Sequence, residues 1–470
     1  MPKAVLPLLL LVPLWSLLAG VAFSADKPNV IFLLCDNLGY GDVGAFGNTI
    51  HRTPALDRMA AEGRKFTHFY SASGICSPSR AALLTGCYPL RIGLHHSSTG
   101  NAVLKPLDRL GISADEWTLG EAFKSQGYAT MIIGKWHLGD QAPFLPTRHG
   151  FDDYLGVPYS EDMVGGKQPG WPPLPLLRGE KVIEAPVDRD LLTRRYTEEA
   201  VRYITANRDR PFFLYFPHAV PGSDARGFVS PEFQGCSQNG RYGDSIEEID
   251  WSVGRLFDTL KELGLDDRTL VIWTSDNGAV RRTPMLGSNA PLGGWGYSTA
   301  EGGMRMPLIA RWPGRIPAGT ECAKLTTMMD WLPTLAALVG AKIPTDRVID
   351  GRDIRPLLFE EAGAKSPHQA FYYYLFDQLQ AVRAGRWKLY VALTQTVSLG
   401  KLQGGRPAAL YDVVADPAEA HDVVAEHPDV EAALMKLADE ARADIGDLGR
   451  PGRNLRKPGW VENPVPQVMN

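Results

Sequence analysis

One short segment, Cys76-Ser77-Pro78-Ser79-Arg80, combines a thiol, a helix start and a guanidinium. Ser77 suits an N-cap, Pro78 suits the first helical position and the Ala/Leu run that follows propagates a helix, so we predict that a helix begins here. A helix start presents free N–H groups and the positive end of a dipole, which favour an anion. Arg80 adds a planar fork of donors that can pair with a tetrahedral oxyanion. The segment therefore predicts an anion site beside a cysteine, although a cysteine before a helix is more often structural.

Polar residues follow four apolar runs that predict buried strands. The runs are Asn29–Leu34, Tyr128–Ile133, Pro211–Phe216 and Thr269–Thr274. The polar residues after them are Asp36 and Asn37, Lys135 and His137, His218, and Asp276 and Asn277. Because ligands of open α/β sheets lie beyond the carboxyl ends of the strands, we expect these side chains to converge on one region.

Two of these groups, Asp36 with Asn37 and Asp276 with Asn277, offer only oxygen ligands. Such ligands suit Ca²⁺ or Mg²⁺, whereas zinc sites favour cysteine and histidine. A single Asp-Asn pair is more often a turn or a helix cap. Two pairs, each directly after a predicted buried strand, indicate a site for a hard divalent cation.

Lys135 and His137 alternate in the segment Gly134–Gly139. Both side chains can therefore point to the same face of an extended chain. A lysine alone would more often be solvated, and a histidine alone would more often be structural. Between glycines at a strand end, they are candidates to bind an anionic substrate, and His137 is also a candidate acid or base.

The chain of 470 residues is 44% apolar and 22% charged, an ordinary globular composition, and it is long enough for two domains. Its net charge of −4 lacks the basic footprint that nucleic-acid binding needs, so we predict no nucleic-acid partner. The five cysteines are too few and too scattered for a disulfide scaffold, and their odd number leaves at least one unpaired.

The first 25 residues have the pattern of a secretory signal peptide. Lys3 gives a positive start, Leu8–Leu18 is almost wholly apolar and Ala22-Phe23-Ser24 suits a cleavage site. A lipobox ending at Cys35 is a weaker alternative, since that cysteine lies well past the apolar region. No later stretch is long and apolar enough to cross a bilayer, so we predict no stable membrane insertion. We expect residues 1–25 to be removed and the protein to be exported, to the periplasm or the extracellular space.

Strand-like runs alternate with helical patterns over most of the chain, which is typical of an α/β domain. We predict helices over 53–63, 119–126 and 246–263, the last opened by a capping box of Ser245 and Glu248. The Gly/Pro-rich segment 161–186 predicts a surface excursion, and the glycine-rich segment 287–303 predicts a loop over a site.

The pattern changes after Ser366. Runs at 372–374, 381–383 and 387–391 predict antiparallel strands, and 430–443 predicts a helix. We therefore divide the chain into an α/β domain over 26–365 and a smaller C-terminal α+β domain over 366–470.

The Cys-x-Pro-x-Arg run at 76–80 resembles the signature of the type I sulfatase family, whose maturation system oxidises this cysteine to formylglycine. Similarity to the family covers nearly the whole chain after the signal peptide. The further segments that carry it are Pro28–Gly47, Gly134–Gly139, Thr274–Gly278, Glu301–Pro307 and Leu410–Asp412 with Asp416-Pro417. Arg241–Asp244 together with Gly302–Arg305 is similar to relatives of arylsulfatase A and N-acetylgalactosamine-6-sulfatase.

The resemblance implies an alkaline-phosphatase-like mixed sheet between helices, and hydrolysis of sulfate esters of a sulfated carbohydrate or other small molecule. It implies that the hydrated formylglycine from Cys76 attacks sulfur, that Arg80 and His137 assist it, and that Lys135 and His218 bind substrate. It also implies Ca²⁺, with Mg²⁺ as the alternative, and a formylglycine-generating maturation enzyme as partner. The implied metal ligands are Asp36, Asn37, Asp276, Asn277 and the modified Cys76.

Three departures from the family pattern keep other functions open. Asn37 stands where the family carries aspartate, and His218, the only candidate for the family's leaving-group histidine, is displaced from the usual His-x-Pro context. No basic residue occurs in 293–297, where a second substrate lysine is expected. The upstream Arg281 and Arg282 are candidates to substitute for it, although a solvated pair is the favoured interpretation. A phosphate or phosphonate ester hydrolase, and a non-catalytic binder of sulfated glycans, remain the alternatives.

Overall fold

A computed structural model describes Met1 and residues 27–224, 226–282 and 286–469. The predicted signal peptide, Met1 apart, lies outside the described residues. Within these residues, no helix has the length and apolar character that crossing a membrane requires. All five cysteines are unpaired.

Among the described residues, the first part of the chain contains twelve strands, all but β3 of which form one large sheet, and all the α-helices except α9. Its strands are β1 (Asn29–Asp36), β2 (Arg64–Tyr70), β3 (Leu110–Gly111), β4 (Ala129–Ile133), β5 (Asp153–Gly156), β6 (Leu176–Arg178), β7 (Lys181–Glu184), β8 (Phe212–Pro221), β9 (Thr269–Ser275), β10 (Arg305–Arg311), β11 (Thr320–Cys322) and β12 (Thr326–Thr327). The α-helices are α1 (Pro54–Glu62), α2 (Cys76–Thr85), α3 (Leu119–Ser125), α4 (Leu192–Ala206), α5 (Gly240–Glu262), α6 (Glu301–Met304), α7 (Trp331–Val339), α8 (Arg355–Leu358) and α9 (Pro428–Asp444).

The large sheet has the order β11-β2-β10-β9-β1-β8-β4-β5-β6-β7, with β12 beside β2. Its central neighbours β9, β1, β8 and β4 are mutually parallel, whereas β10, β6 and β7 pair antiparallel to their neighbours. The carboxyl ends of the four central strands therefore lie at one edge. This mixed sheet confirms the predicted α/β fold class.

Strand β1 shows why the central strands are apolar throughout. Val30, Phe32 and Leu34 pack into the core on the side of α2, α3 and α7. The residues between them, Ile31, Leu33 and Cys35, pack into the core on the side of α1, α4 and α5. Because helices cover both faces, alternation between faces leaves no polar side in the sequence.

Two helices begin before their predicted capping residues. Helix α2 begins at Cys76 with Ile75 as its N-cap, because Ser77 Oγ accepts a hydrogen bond from Leu104 N at 3.3 Å instead of capping. Helix α5 begins at Gly240, so the predicted capping box lies inside it. There Ser245 Oγ donates to the Tyr242 carbonyl at 2.7 Å.

The predicted strand over 211–216 is also longer than expected. Strand β8 runs to Pro221, because its last residues pair with the end of β1 across a register shift, Asp36 opposite Pro221. His218 therefore lies within a strand and does not follow one. The predicted surface excursion at 161–186 contains the hairpin β6–β7, which extends the sheet.

The C-terminal part forms an antiparallel sheet of order β13-β14-β15-β18, on which α9 packs. The boundary at 365/366 stays a prediction, since β21 near the chain end returns to pair with β3. The strands here are β13 (Phe371–Leu375), β14 (Gln378–Ala384), β15 (Trp387–Tyr390), β16 (Leu393–Ser398), β17 (Lys401–Arg406), β18 (Ala409–Asp412), β19 (Gly446–Asp447), β20 (Arg450–Pro451) and β21 (Gly459–Trp460).

A buried ionic network joins the two sheets. Glu301 accepts hydrogen bonds from Tyr70 of β2 at 2.5 Å and from Tyr373 of β13 at 2.8 Å. Lys388 of β15 lies 3.2 Å from Glu301 and 2.8 Å from Glu419. Burial raises the pKa of Glu301, but Lys388 and two arginines outweigh it and lower the pKa to about 2. The carboxylate is therefore charged and compensated.

Replacing Lys388 by alanine should destabilise the fold, because Glu301 would keep a buried charge without its closest cation. We expect the free energy of unfolding to fall by about 3–5 kcal/mol in urea titrations. Lys401→Ala, at an exposed position on β17, is the matched control. Equal unfolding midpoints for the two variants would contradict this account of the interface.

Candidate active site

Cys76 lies at the first turn of α2, buried against the carboxyl ends of β1 and β9. Its Sγ is 3.8 Å from Asn37 Oδ1, and one ligand atom from each of Asp36, Cys76 and Asp276 lies within 4.8 Å of the others. Burial raises the pKa of the Cys76 thiol well above its usual value. The unmodified side chain is therefore a neutral thiol and a weak nucleophile.

Arg80, one turn along α2, connects the helix to both strand ends. Its Nε and Nη2 donate to Asp276 Oδ2 at 3.0 and 2.8 Å, and Nη2 also donates to Asp36 Oδ1 at 3.1 Å. Its Nη1 donates to the Lys135 carbonyl at 2.7 Å. The guanidinium is fully buried, so these bonds fix its position.

Lys135 supplies the second buried positive charge. Its Nζ donates to Asp36 Oδ1 at 2.8 Å and to Ser160 Oγ at 3.0 Å, and lies 3.9 Å from Glu161 Oε2. Burial raises the pKa of Asp36, but Lys135 and Arg80 outweigh it and hold that pKa well below its usual value. Asp36 is therefore a carboxylate.

Asp276 differs from Asp36 in its electrostatic environment. Burial and the adjacent Asp36 charge raise the pKa of Asp276 to about 7, although Arg80 opposes them. Its Oδ1 accepts a hydrogen bond from Asn37 N at 3.0 Å. Two buried carboxylates this close favour a bound cation, which would stabilise both negative charges.

The side-chain oxygens of Asp36, Asn37, Asp276 and Asn277 test whether the site fits a hard cation. Asp36 Oδ2 and Asn277 Oδ1 are buried, and neither has a hydrogen-bond partner among the residues described. Asn37 Oδ1 lies between the Asn277 amide at 2.6 Å and Cys76 Sγ. Buried oxygens without donors are uncommon unless a cation or water satisfies them. The four residues therefore fit a divalent cation with oxygen ligands.

His137 is fully buried and hydrogen-bonds to one carbonyl. Its Nε2 lies 3.0 Å from the Leu104 carbonyl oxygen, which can only accept, so Nε2 carries the proton and Nδ1 the lone pair. Nδ1 has no partner in the described part of the chain. Burial, with Lys135 and Arg80, lowers the pKa of His137 well below its usual value. Leu104 N also donates to Ser77 Oγ, so the segment that contains Leu104 connects His137 to the start of α2.

No hydrogen bond joins His218 to this cluster in the described part of the chain. Its ring stacks on Phe216 with centroids 4.3 Å apart, and neither ring nitrogen has a partner among the described residues. Burial lowers its pKa to about 3. Contacts thus link seven of the predicted site residues directly and connect His137 to the start of α2 through Leu104, whereas His218 forms no hydrogen bond to any of them within the described residues.

Three residues at the site were not identified from the sequence. Ser223 Oγ accepts from Asn37 Nδ2 at 3.0 Å and lies 3.2 Å from the Tyr297 hydroxyl. Glu161 Oε1 accepts from Ser223 N at 2.6 Å. Tyr297 has φ of 67°, a strained conformation for a tyrosine, and its N–H donates to the Gly74 carbonyl at 2.8 Å. Its only sequence signal was the glycine-rich loop predicted to cover a site.

The predicted solvated arginine pair is wrong for one member. Arg281 is exposed, but Arg282 is buried over the Tyr242 ring, 4.9 Å from its centroid. Its Nη2 donates to the Gly222 carbonyl. The Arg282 guanidinium thus contacts Gly222, the residue directly before Ser223, and its residue type alone did not predict this burial.

Asn277→Ala should weaken divalent-cation binding, because it removes one of the oxygens without a donor. We expect Ca²⁺ to raise the unfolding temperature of the unchanged protein. In the variant we expect this shift to shrink and the calorimetric affinity to fall roughly tenfold or more. Asn454→Ala, at an exposed position, should behave like the unchanged protein. Equal Ca²⁺ affinities in the two variants would exclude Asn277 as a ligand.

Comparison with known proteins gives the family. The family model described as "Sulfatase" matches residues 28–341, and "N-sulphoglucosamine sulphohydrolase, C-terminal" matches residues 298–444. The N-acetylgalactosamine-6-sulfatase of Canis lupus familiaris is 40% identical over 386 residues, covering 79% of this chain and 73% of that protein. Arylsulfatase A of Homo sapiens is 37% identical over 464 residues, covering 90% and 89%.

A solved structure agrees with these matches. The PsFucS1 sulfatase from Pseudoalteromonas sp. superposes with a TM-score of 0.77 at 28% identity, covering 89% of this chain and 90% of that one. The fold is therefore the alkaline-phosphatase-like fold of the sulfatases. The chain belongs to the sulfatase family of sulfuric ester hydrolases.

Proposed function

We propose that this protein is an exported sulfatase that hydrolyses the sulfate esters of a sulfated carbohydrate, using formylglycine made from Cys76 and a bound Ca²⁺. The observation that carries the proposal is the meeting of Cys76, Asp36 and Asp276 within 4.8 Å at the carboxyl edge of the sheet. The carbohydrate class is supported by the 40% identity to a protein named as an N-acetylgalactosamine-6-sulfatase.

Cys76 is a buried, neutral thiol, which supports the proposal that it is oxidised before it can act. A buried neutral thiol would be a poor nucleophile at neutral pH. Formylglycine supplies instead a hydroxyl of its hydrate, and a maturation enzyme is the proposed partner that makes it. The cation, held by Asp36, Asn37, Asp276 and Asn277, supplies Lewis acidity toward a sulfate oxygen when bound.

The surrounding side chains have separate tasks. Arg80, fixed by two carboxylates, keeps a positive charge beside residue 76. Lys135 adds a second positive charge that favours a sulfate group and the charge developing in the transition state. His137 holds its Nδ1 lone pair without a donor, so it can accept a proton from a hydroxyl at residue 76.

The leaving oxygen has two candidate hydrogen-bond donors. His218 is the residue predicted from the sequence, but it forms no hydrogen bond within the described residues. Tyr297 is linked through Ser223 to Asn37, and burial raises the pKa of its hydroxyl, so it stays protonated. We propose that Tyr297 donates the hydrogen bond to the leaving oxygen.

Phosphate esters remain the closest alternative substrates, because tetrahedral anions differ little in shape. Turnover of a matched aryl sulfate and aryl phosphate by the same preparation separates the two activities. Glycan binding without any hydrolysis, by protein that carries the aldehyde, would favour the non-catalytic alternative.

Cys76→Ala should abolish sulfate release while the protein stays folded, since the variant has no side chain to oxidise. Released sulfate and circular dichroism are the measurements. Cys236→Ala changes an exposed cysteine away from the site and should keep full activity. Mass spectrometry of the peptide around residue 76 should show loss of sulfur in the active protein. Retained turnover in Cys76→Ala would end the hypothesis.

Tyr297→Phe should lower kcat for a sugar sulfate roughly 10²-fold, because the departing alkoxide loses the hydrogen bond that stabilises its developing charge. An aryl sulfate should lose much less, since a phenolate leaves more easily. His218→Phe keeps the stacking on Phe216 and is the comparison variant. A larger, leaving-group-dependent loss in His218→Phe would assign the donor role to His218 instead.

A further inference from the structure

A cleft of about 610 Å³ opens between the glycine-rich loop and the C-terminal part of the chain. Its walls come from the loop around Tyr297, from β14 and β15, and from the hairpin β16–β17. The lining residues used below are Tyr297, Thr299, Gln380, Tyr390, Arg406 and Tyr411. We call it the Tyr297–Arg406 cleft.

The cleft begins beside the candidate active site. Tyr297 lines it and also reaches Ser223, which binds Asn37. Val397 lines it and packs in the same apolar cluster as Ile75, the N-cap residue directly before Cys76. A substrate whose sulfate lies at residue 76 therefore has this cleft within reach of its remaining part.

Hydrogen bonds fix the cleft walls to each other. Thr299 Oγ1 donates to Gln380 Oε1 at 2.9 Å, and the Gln380 amide donates to the Val397 carbonyl at 2.9 Å. Arg406 Nη2 donates to the Gln380 carbonyl at 2.5 Å. Polar side chains together with the aromatic residues Tyr390 and Tyr411 suit a sugar, which has hydroxyls and an apolar C–H face.

Arg406 is a cation without a carboxylate in contact. It forms no salt bridge within the described residues, and its buried Nε has no partner there. Its guanidinium lies 4.5 Å from the centre of the Tyr390 ring. Burial lowers its pKa, although Tyr390 and Glu419 act in the opposite direction. Such a group favours an anionic ligand.

Glu419 is the other charged residue in the lining, and it does not cancel Arg406. Its Oε1 lies 2.8 Å from Lys388 Nζ and accepts from the Tyr390 hydroxyl at 2.8 Å. Its Oε2 accepts from Glu301 N at 2.8 Å. Lys388, which it shares with Glu301, and the Tyr390 hydroxyl thus hold Glu419, and no salt bridge joins Glu419 to Arg406 within the described residues, so the Arg406 guanidinium stays available in the cleft.

We propose that the Tyr297–Arg406 cleft binds the part of the glycan beyond the scissile sulfate, with Arg406 holding a second anionic group, either a sulfate or a carboxylate. The proposal rests on the proposed sulfatase function and specifies its substrate class. The preferred substrate is then a sulfated oligosaccharide with more than one negative charge.

The unchanged protein provides the first test, with three disaccharides that share one scissile sulfate. One carries no further charge, one a second sulfate and one a uronate carboxylate. We expect a lower KM for one or both of the doubly charged substrates, with an advantage that decreases as ionic strength rises. The charged substrate with the lower KM identifies the second anion. Equal KM values for all three would overturn the proposal.

Arg406→Gln is the second test, and Lys401→Gln, which removes an exposed charge from the same hairpin, is its control. We expect the KM ratio between singly and doubly charged substrates to fall about tenfold in Arg406→Gln and to stay unchanged in Lys401→Gln. Arg406→Lys should restore part of the ratio. Equal changes in the Arg406→Gln and Lys401→Gln ratios would overturn the proposal, since they would indicate a general field effect.

These results separate the subsite from the enzymatic activity. If no disaccharide and no aryl sulfate releases sulfate, the proposed function fails. Calorimetric titration of the unchanged protein and Arg406→Gln with the doubly charged disaccharides then tests the cleft alone. Weaker binding to Arg406→Gln supports the subsite, and equal binding overturns it.

Discussion

The site depends on the salt bridges that Arg80 forms with Asp36 and Asp276. Asp36 ends one strand and Asp276 follows its neighbour, 196 residues from Arg80 in the sequence. Without a buried cation between them, two carboxylates at this edge would repel each other in a region with little water. Arg80 stabilises both, and because it belongs to α2 it also fixes Cys76 one turn away. The Arg80 side chain thus both positions Cys76 and compensates the charges of the two aspartates.

The convergence of the site residues could be predicted because it follows from topology. Strands β9, β1, β8 and β4 are parallel neighbours, so residues that follow β9, β1 and β4 must meet at one edge. The predicted start of α2 was wrong because two groups compete for one hydroxyl. Ser77 looked like a cap, but its hydroxyl is used by Leu104, and the helix begins at Cys76.

The remaining differences arise from contacts distant in sequence. Strand β8 continues past Pro217 because it pairs with the end of β1, which carries His218 into the strand. Glu161 and Ser223 meet across 62 positions in irregular segments that have no periodic pattern. Arg282 is buried by Tyr242 and Gly222, and no rule based on its neighbours in sequence would have placed it there.

The completed pocket has a consequence for the order of events during synthesis. Cys76 is only 2% exposed in the folded chain, and Asp276, which helps enclose it, is translated 200 positions later. The proposed maturation enzyme would not reach this thiol after β9 has joined the sheet. The proposed oxidation would therefore come early, on a nascent or still unfolded polypeptide, and the rate of folding would set the time available for it.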